Sequence, residues 1–152
     1  MCLIIDANFV TLVFAAEPAQ DYLPIRNALS EGRARAMIGG HLQTEYFRVK
    51  KLIPIWVELN RKGVLKSANE KAVVAETAKF AAMTLKSDDP HILALAKVSG
   101  ARLLCSHDQP LHSDFTNSAL LTPKGNIYQN ASHQSLIARH CSQPDKRKRK
   151  RS

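Results

Sequence analysis

Hydrophobic positions along the chain fall into short apolar runs and into stretches with helical spacing. The runs at residues 2–6, 34–38 and 102–105 are short and mostly apolar, which predicts strands buried on both faces. Between them, apolar residues recur at intervals of three and four, which predicts helices. Strands that alternate with helices favour an α/β fold with a doubly wound, mainly parallel sheet flanked by helices.

Glycines, prolines and caps set the predicted helix boundaries. Ser67-Ala-Asn-Glu70 resembles a capping box and predicts a helix that runs to about residue 85. Residues 119–122 and 126–128 predict an edge element of the sheet. The other predicted helices cover about residues 10–16, 20–30, 41–51, 55–63, 90–99 and 132–140.

Length and charge favour one domain followed by a basic tail. The chain has 152 residues, 45% of them hydrophobic, which is enough for a sizeable core. Residues 146–151 supply six of the 22 Lys and Arg residues, so the rest carries 16 cations against 13 acids, about +3 of the net +9. We assign residues 1–142 to the domain and 143–152 to a disordered tail. The tail either contacts nucleic acid, targets the protein or only improves solubility.

The cysteines and the N-terminus indicate the compartment. Cys2, Cys105 and Cys141 have no paired or metal-ligand spacing, which argues against a disulfide framework or a structural zinc site. Cys105 is predicted to lie in the core. Met1 leads straight into a strand without a secretory signal, and no run of about 18 apolar residues could span a membrane. We expect a cytoplasmic protein in a reducing compartment, without membrane association.

Two carboxylates follow predicted strands. Asp6 ends the first strand, and Asp108 follows the strand at residues 102–105 after Ser106 and His107. Ligands of parallel sheets bind beyond the carboxyl ends of the strands, so both side chains should lie at the same edge. A carboxylate in such a position serves either as a turn residue or as a functional group.

Glu45 interrupts an apolar helix face. Leu42, Val49 and Leu52 are spaced along one face of the predicted helix, and Glu45 lies among them. Burial of a carboxylate is costly unless it is paired or binds a metal. The alternative is that Glu45 borders the core and pairs with Arg48.

Asp89 stands at the head of a second buried face, formed by Ile92, Leu93 and Ala96. The alternative is structural, because an Asp before Pro90 is a favourable helix N-cap. Asp88 precedes it directly, and the apolar spacing favours Asp89 as the functional acid.

In this order the acids resemble the site of PIN-domain nucleases, a family that includes small ribonucleases and toxins of toxin–antitoxin pairs. The resemblance is carried by Asp6-Ala-Asn8, by Glu45, by Asp89-Pro-His-Ile-Leu-Ala-Leu-Ala96 and by Gly100-Ala-Arg-Leu-Leu-Cys-Ser-His-Asp108. It spans about residues 1–115. It implies a PIN-like fold and a metal-dependent endoribonuclease.

The resemblance also implies roles for individual residues. The catalytic and metal-binding acids would be Asp6, Glu45, Asp89 and Asp108. Asn8 would support Asp6, Ser106 stands where the family often has Thr, and Asp114 is a candidate outer ligand. An oxygen-rich site suits Mg²⁺ or Mn²⁺ better than zinc. The nearby histidines are expected at the surface or the rim of the site: His91, His107 and His112.

Partners follow from the same resemblance. The substrate would be RNA, and the candidate binding cations are Arg48, Lys50, Lys51 and the tail, although these lysines also fit a solvated face. An antitoxin or other inhibitory protein, or a second copy in a homodimer, would cover the rim. Apolar candidates for that contact are Phe9, Val10, Phe47 and Trp56, for each of which core packing is favoured.

Two other classes of protein stay open. Asp6-Ala-Asn8-Phe-Val10 resembles the nucleophile motif of haloacid dehalogenase-type aspartyl phosphatases, in which Asp6 would attack phosphorus. However, Asn8 stands where that family has a second Asp. A catalytically inactive PIN-fold module that binds RNA or protein is the main alternative, and the presence of all four acids argues against it.

Overall fold

Five strands of three residues form one parallel sheet in the computed structural model, which describes residues 2–141. The strands are β1 (Leu3–Ile5), β2 (Ala36–Ile38), β3 (Leu65–Ser67), β4 (Leu103–Cys105) and β5 (Asn126–Tyr128). Their order is β3-β2-β1-β4-β5, and all neighbours pair in parallel. The predicted α/β class, with a doubly wound parallel sheet in a single domain, is confirmed.

Eight α-helices flank the sheet within the described residues. They are α1 (Ala7–Val13), α2 (Leu23–Ser30), α3 (Gly40–Phe47), α4 (Ile53–Arg61), α5 (Glu70–Ala81), α6 (Pro90–Ser99), α7 (Gln109–Phe115) and α8 (Ser135–Cys141). Short 3₁₀ turns cover Lys50–Leu52 and Ala131–His133. In this part of the chain, no helix is long and apolar enough to cross a membrane.

The sheet centre and α6 form the core. All residues of β1, β2 and β4 are buried, and α6 buries six consecutive residues, 91–96. Cys105 lies in this core, as predicted. Phe9, Val10 and Trp56 are also buried, whereas Phe47 is 42% exposed. Only Phe47 of the four apolar candidates therefore offers a large surface to a partner.

Strand order positions the site. The chain fills one side of β1 with β2 and β3 and then crosses to the other side with β4 and β5. The crevice between β1 and β4 is the point at which the order reverses, where ligands of such sheets bind. Ile5 pairs with Cys105, so Asp6 and Ser106 follow side by side at the carboxyl edge.

Some predicted elements were wrong. Ser67 belongs to β3, and the N-cap of α5 is Asn69, whose side chain accepts a hydrogen bond from the Ala72 amide at 2.9 Å. That helix ends at residue 81 instead of 85. Helix α7 was not predicted, and residues 119–122 form turns whereas β5 is the edge strand. Of these elements, β3, α7 and β5 have only three to seven residues, too few for a clear periodic pattern.

The cysteine spacing argued against a disulfide, yet Cys2 and Cys141 form one. Their Cα atoms lie 4.8 Å apart although 139 positions separate them in sequence. Spacing could not reveal the pair, because tertiary packing alone brings α8 to the start of β1. Disulfides are rare in the cytosol, so this pair does not support the expected reducing compartment. The predicted tail, residues 143–152, lies outside the described residues.

Candidate active site

Asp6 is fixed at the end of β1 by its backbone. Its amide donates to the Cys105 carbonyl at 3.0 Å, and its own carbonyl accepts from the Phe9 and Val10 amides in the first turn of α1. The side chain makes no capping hydrogen bond to that helix. The carboxylate is therefore not used as a helix cap and is available for other chemistry.

Ser106 connects Asp6 with Asp108. The buried Ser106 hydroxyl donates to Asp6 Oδ2 at 3.0 Å and accepts from the Asp108 amide at 3.0 Å. Asp108 is the N-cap of α7, and its Oδ1 accepts from the Leu111 amide at 3.4 Å. One hydroxyl thus holds the ends of two neighbouring strands together at the site.

Asp89 precedes α6 and faces Asp108. It occupies the N-cap position, but its side chain makes no capping hydrogen bond. Interactions with the Asp108 carboxyl group, both its charge and a hydrogen bond, contribute to a raised pKa of Asp89. The structural alternative, a carboxylate that serves as a helix cap, therefore does not describe Asp89.

The acids influence one another electrostatically. Burial, the charges of Asp6 and Asp108, the hydrogen bond with Asp108 and the charge of Glu45 together raise the pKa of Asp89 to about 7. Burial also raises the pKa of Asp6, against the hydrogen bond from Ser106, and Glu45 and Asp108 raise it further. The four predicted acids therefore share one region of concentrated negative charge.

Glu45 lies at the border of this region and contacts two histidines. Its Oε2 lies 3.6 Å from His41 Nε2, one turn earlier in α3, and its Oε1 lies 3.4 Å from His91 Nε2 of α6. Among the described residues, these two histidines and not Arg48 contact its carboxylate, and burial lowers the pKa of His91, which favours its neutral form. His91 was predicted at the surface or the rim of the site; it is only 7% exposed, so it is not a surface residue, and its contact with Glu45 places it beside the site. The cause of its low exposure is its place on the buried face of α6.

The other two histidines differ from His91. His107 is exposed, and its Nε2 lies 3.1 Å from the Tyr22 hydroxyl. His112 is half-buried, with its Nε2 2.6 Å from the Ser106 carbonyl oxygen. Neither contacts a carboxylate of the site.

Tyr46 anchors α3 beside the site, a role that the sequence did not reveal. Its buried hydroxyl donates to the Ile5 carbonyl, one residue before Asp6. Its ring stacks on Trp56 with the ring centres 4.4 Å apart and the planes 7° from parallel. These contacts hold the neighbouring Glu45 close to the end of β1.

Asp114 supports the loop before Asp89. Its buried carboxylate accepts from the Lys86 amide at 3.0 Å and from the Ser87 amide and hydroxyl at 2.9 and 2.8 Å. The Ser87 hydroxyl in turn accepts from the Asp89 amide at 3.3 Å. Asp114, the candidate outer ligand, thus uses both oxygens to hold this loop.

The remaining predicted residues are exposed. Asn8 lies in the first turn of α1, and the hydrogen bond to the Asp6 carboxylate comes from Ser106. Arg48, Lys50 and Lys51 follow Glu45 at the far end of α3 and in the next turn.

Within residues 2–141, no three His, Cys, Asp or Glu side chains are already arranged to hold a metal ion. The site is instead a set of pairs: Asp6 with Ser106, Asp89 with Asp108, and Glu45 with each histidine. An ion would have to draw these side chains together. Compared with known proteins, the chain matches no protein-family model and no curated protein significantly.

Proposed function

We propose that the protein is a PIN-like, metal-dependent endoribonuclease that hydrolyses RNA phosphodiester bonds. The observation that carries the proposal is the concentration of negative charge at the crevice between β1 and β4, expressed in the Asp89 pKa of about 7. Such repulsion lowers stability, and a bound cation would relieve it. The order of the acids along the chain, which resembles the PIN family, supplies the reaction class.

The donor set fits the cation that this proposal needs. Carboxylate oxygens are the ligands that Mg²⁺ and Mn²⁺ prefer. The residues that would hold the ion are Asp6, Glu45, Asp89 and Asp108. A bound ion would neutralise charge on the phosphodiester and lower the pKa of the attacking water.

Other residues of the chain would position these ligands. Ser106 would orient the Asp6 carboxylate through its 3.0 Å hydrogen bond. Asp114 would place Asp89 by holding the loop at residues 86–87. The exposed cations Arg48, Lys50 and Lys51 would contact phosphates away from the scissile bond, each adding a salt-dependent contribution to affinity.

A cleavage assay with matched variants tests the proposal. End-labelled single-stranded RNA is incubated with the protein in Mn²⁺, in Mg²⁺ and in EDTA. We expect products with 5′-phosphate and 3′-hydroxyl ends, formed only with metal. Asp89→Asn should abolish cleavage, whereas Asp88→Asn, which removes the same charge from the exposed neighbouring residue, should retain it.

Other outcomes separate the competing functions. Cyclic phosphate ends, or full cleavage in EDTA, would contradict the mechanism. RNA binding without cleavage in either metal would indicate the inactive binding module. Asp6-dependent hydrolysis of a small phosphomonoester, with RNA left intact, would indicate the aspartyl phosphatase.

A further inference from the structure

The two histidines beside Glu45 have no role in the proposed nuclease reaction. His41 and Glu45 lie one turn apart on α3, and His91 reaches the same carboxylate from α6. The two imidazole ring centres are 4.9 Å apart, and the ring planes are nearly perpendicular at 83°. Two Nε2 atoms thus approach one carboxylate from different helices.

The three side chains are not already converged on one point, but each nitrogen–oxygen separation resembles that between two ligands of one metal ion. Nitrogen and oxygen ligands bind Zn²⁺ at about 2.0–2.2 Å, so neighbouring donors of a tetrahedral ion lie about 3.3–3.5 Å apart. The observed separations are 3.4 Å from His91 Nε2 to Oε1 and 3.6 Å from His41 Nε2 to Oε2 of Glu45, so each imidazole stands near ligand spacing from one of the two carboxylate oxygens. Two imidazoles bound through Nε2 would have ring centres roughly 5 Å apart, and the observed separation is 4.9 Å.

His91 supplies an independent observation. Its Nε2 is buried, and it has no hydrogen-bond partner among the described residues. The 3.4 Å contact with Glu45 lacks hydrogen-bond geometry. Burial of an unpaired polar atom is unfavourable, and a native protein usually satisfies such an atom with a partner, a water or an ion.

We propose that His41, Glu45 and His91 form a binding site for a transition-metal dication such as Zn²⁺. Two imidazoles and a carboxylate are typical zinc ligands, whereas Mg²⁺ prefers oxygen donors alone. A water would complete the tetrahedron, and the half-exposed His41 leaves a path from solvent. Binding would also satisfy the buried Nε2 of His91.

This inference does not require nuclease activity. It depends on three side chains and is tested by metal binding in the absence of RNA. It differs from the proposed catalytic site in its preferred ion, because that site offers carboxylate oxygens from Asp6, Asp89 and Asp108. The two sites share only Glu45.

Titration of the full-length, oxidised protein with Co²⁺ tests the site. The intact disulfide keeps Cys2 and Cys141 from binding the ion. Tetrahedral Co²⁺ with nitrogen ligands absorbs visible light strongly, so binding is observed directly. We expect one equivalent of Co²⁺ that one equivalent of Zn²⁺ displaces and that excess Mg²⁺ does not.

Variants identify the ligands. His41→Ala should weaken Co²⁺ binding by at least about tenfold, and because His41 is half exposed this variant should fold even if His91→Ala does not. His107→Ala is the matched control, since His107 is exposed and does not contact Glu45; it should bind Co²⁺ like the wild type. The proposal is overturned if His41→Ala binds as tightly as the wild type, if His107→Ala loses the site equally, or if no saturable Co²⁺ spectrum appears.

Discussion

Replacement of Asp89 by Asn should stabilise the metal-free protein. Asp89 is half-buried at the head of α6, close to the carboxylates of Asp6 and Asp108. Asn keeps nearly the same shape and removes the charge. No cap is lost, because the Asp89 side chain makes no capping hydrogen bond. The change therefore isolates the electrostatic cost of an ionised carboxylate at this position.

The size of the effect follows from the pKa difference between the folded and unfolded states. The Asp89 pKa rises from 3.8 to about 7, a change of about 3 units. At about 1.4 kcal/mol per unit, ionised Asp89 lowers the free energy of unfolding by at most about 4 kcal/mol. Solvent screening of this half-buried carboxyl group, relaxation of the site and the lost interaction of the charge with the helix dipole, about 0.3–1 kcal/mol, reduce the net gain. We expect Asp89→Asn to be more stable by about 1–3 kcal/mol at pH 8.

The difference in stability between the wild type and Asp89→Asn should change with pH in a defined direction. Because the folded-state pKa is the higher one, the unfolded chain loses this proton first as the pH rises. The contribution of Asp89 to the free energy of unfolding of the wild type should therefore fall between about pH 4 and pH 7 and then stay constant at higher pH. The advantage of Asp89→Asn should be small near pH 4.5 and largest at pH 8.

Urea denaturation in EDTA at the two pH values measures this advantage. Asp88→Asn is the control, because it removes the same formal charge one residue earlier from an exposed side chain. A gain that is equal at both pH values, or equal in the two variants, would refute the reasoning. With Mn²⁺ added, the wild type should be stabilised more than Asp89→Asn.

Three further predictions concern residues around the acids. Ser106→Ala should lower the free energy of unfolding by about 1–3 kcal/mol, because it leaves the part-buried Asp108 amide without its partner; urea denaturation should show a smaller loss for Ser106→Thr. Asp114→Asn should lower stability by a similar amount, and it should also reduce RNA cleavage at saturating metal, which a surface control such as Asp88→Asn should not. Cys2→Ser should lower the free energy of unfolding by up to about 5 kcal/mol by the loop-entropy estimate, since the disulfide to Cys141 closes a loop across 139 positions. Reductant should destabilise the wild type equally and leave that variant unchanged.

Local determinants explain which elements the sequence revealed. Helix α6 was predicted with its observed bounds because Pro90 at its first position and Gly100 at its end are local signals, and Gly100 adopts the left-handed φ of 82° that favours glycine. Strands β1 and β4 were predicted from apolar runs. The shared edge of Asp6 and Asp108 followed from parallel strand direction alone.

Tertiary contacts explain what the sequence did not reveal. Strand β3 buries only one of its three residues, so it lacks an apolar run. Helix α7 has seven residues and a mostly polar sequence. The links of Asp114 to Ser87 and of His91 to Glu45 join segments 27 and 46 positions apart, respectively. No local pattern encodes such pairs.

The acids lie on the most buried elements of the fold. Asp6 follows a strand with every residue buried, and Asp89 precedes a helix with six consecutive buried residues. Apolar burial contributes about 25 cal/mol for each Å² removed from water, so these elements can hold like charges close together at a cost of a few kcal/mol. A flexible loop would move apart to relieve the same repulsion. The rigid core therefore contributes to the raised Asp89 pKa of about 7, because it buries this carboxyl group and keeps the carboxylates close enough to repel one another, and a cation that drew them together would relieve that repulsion.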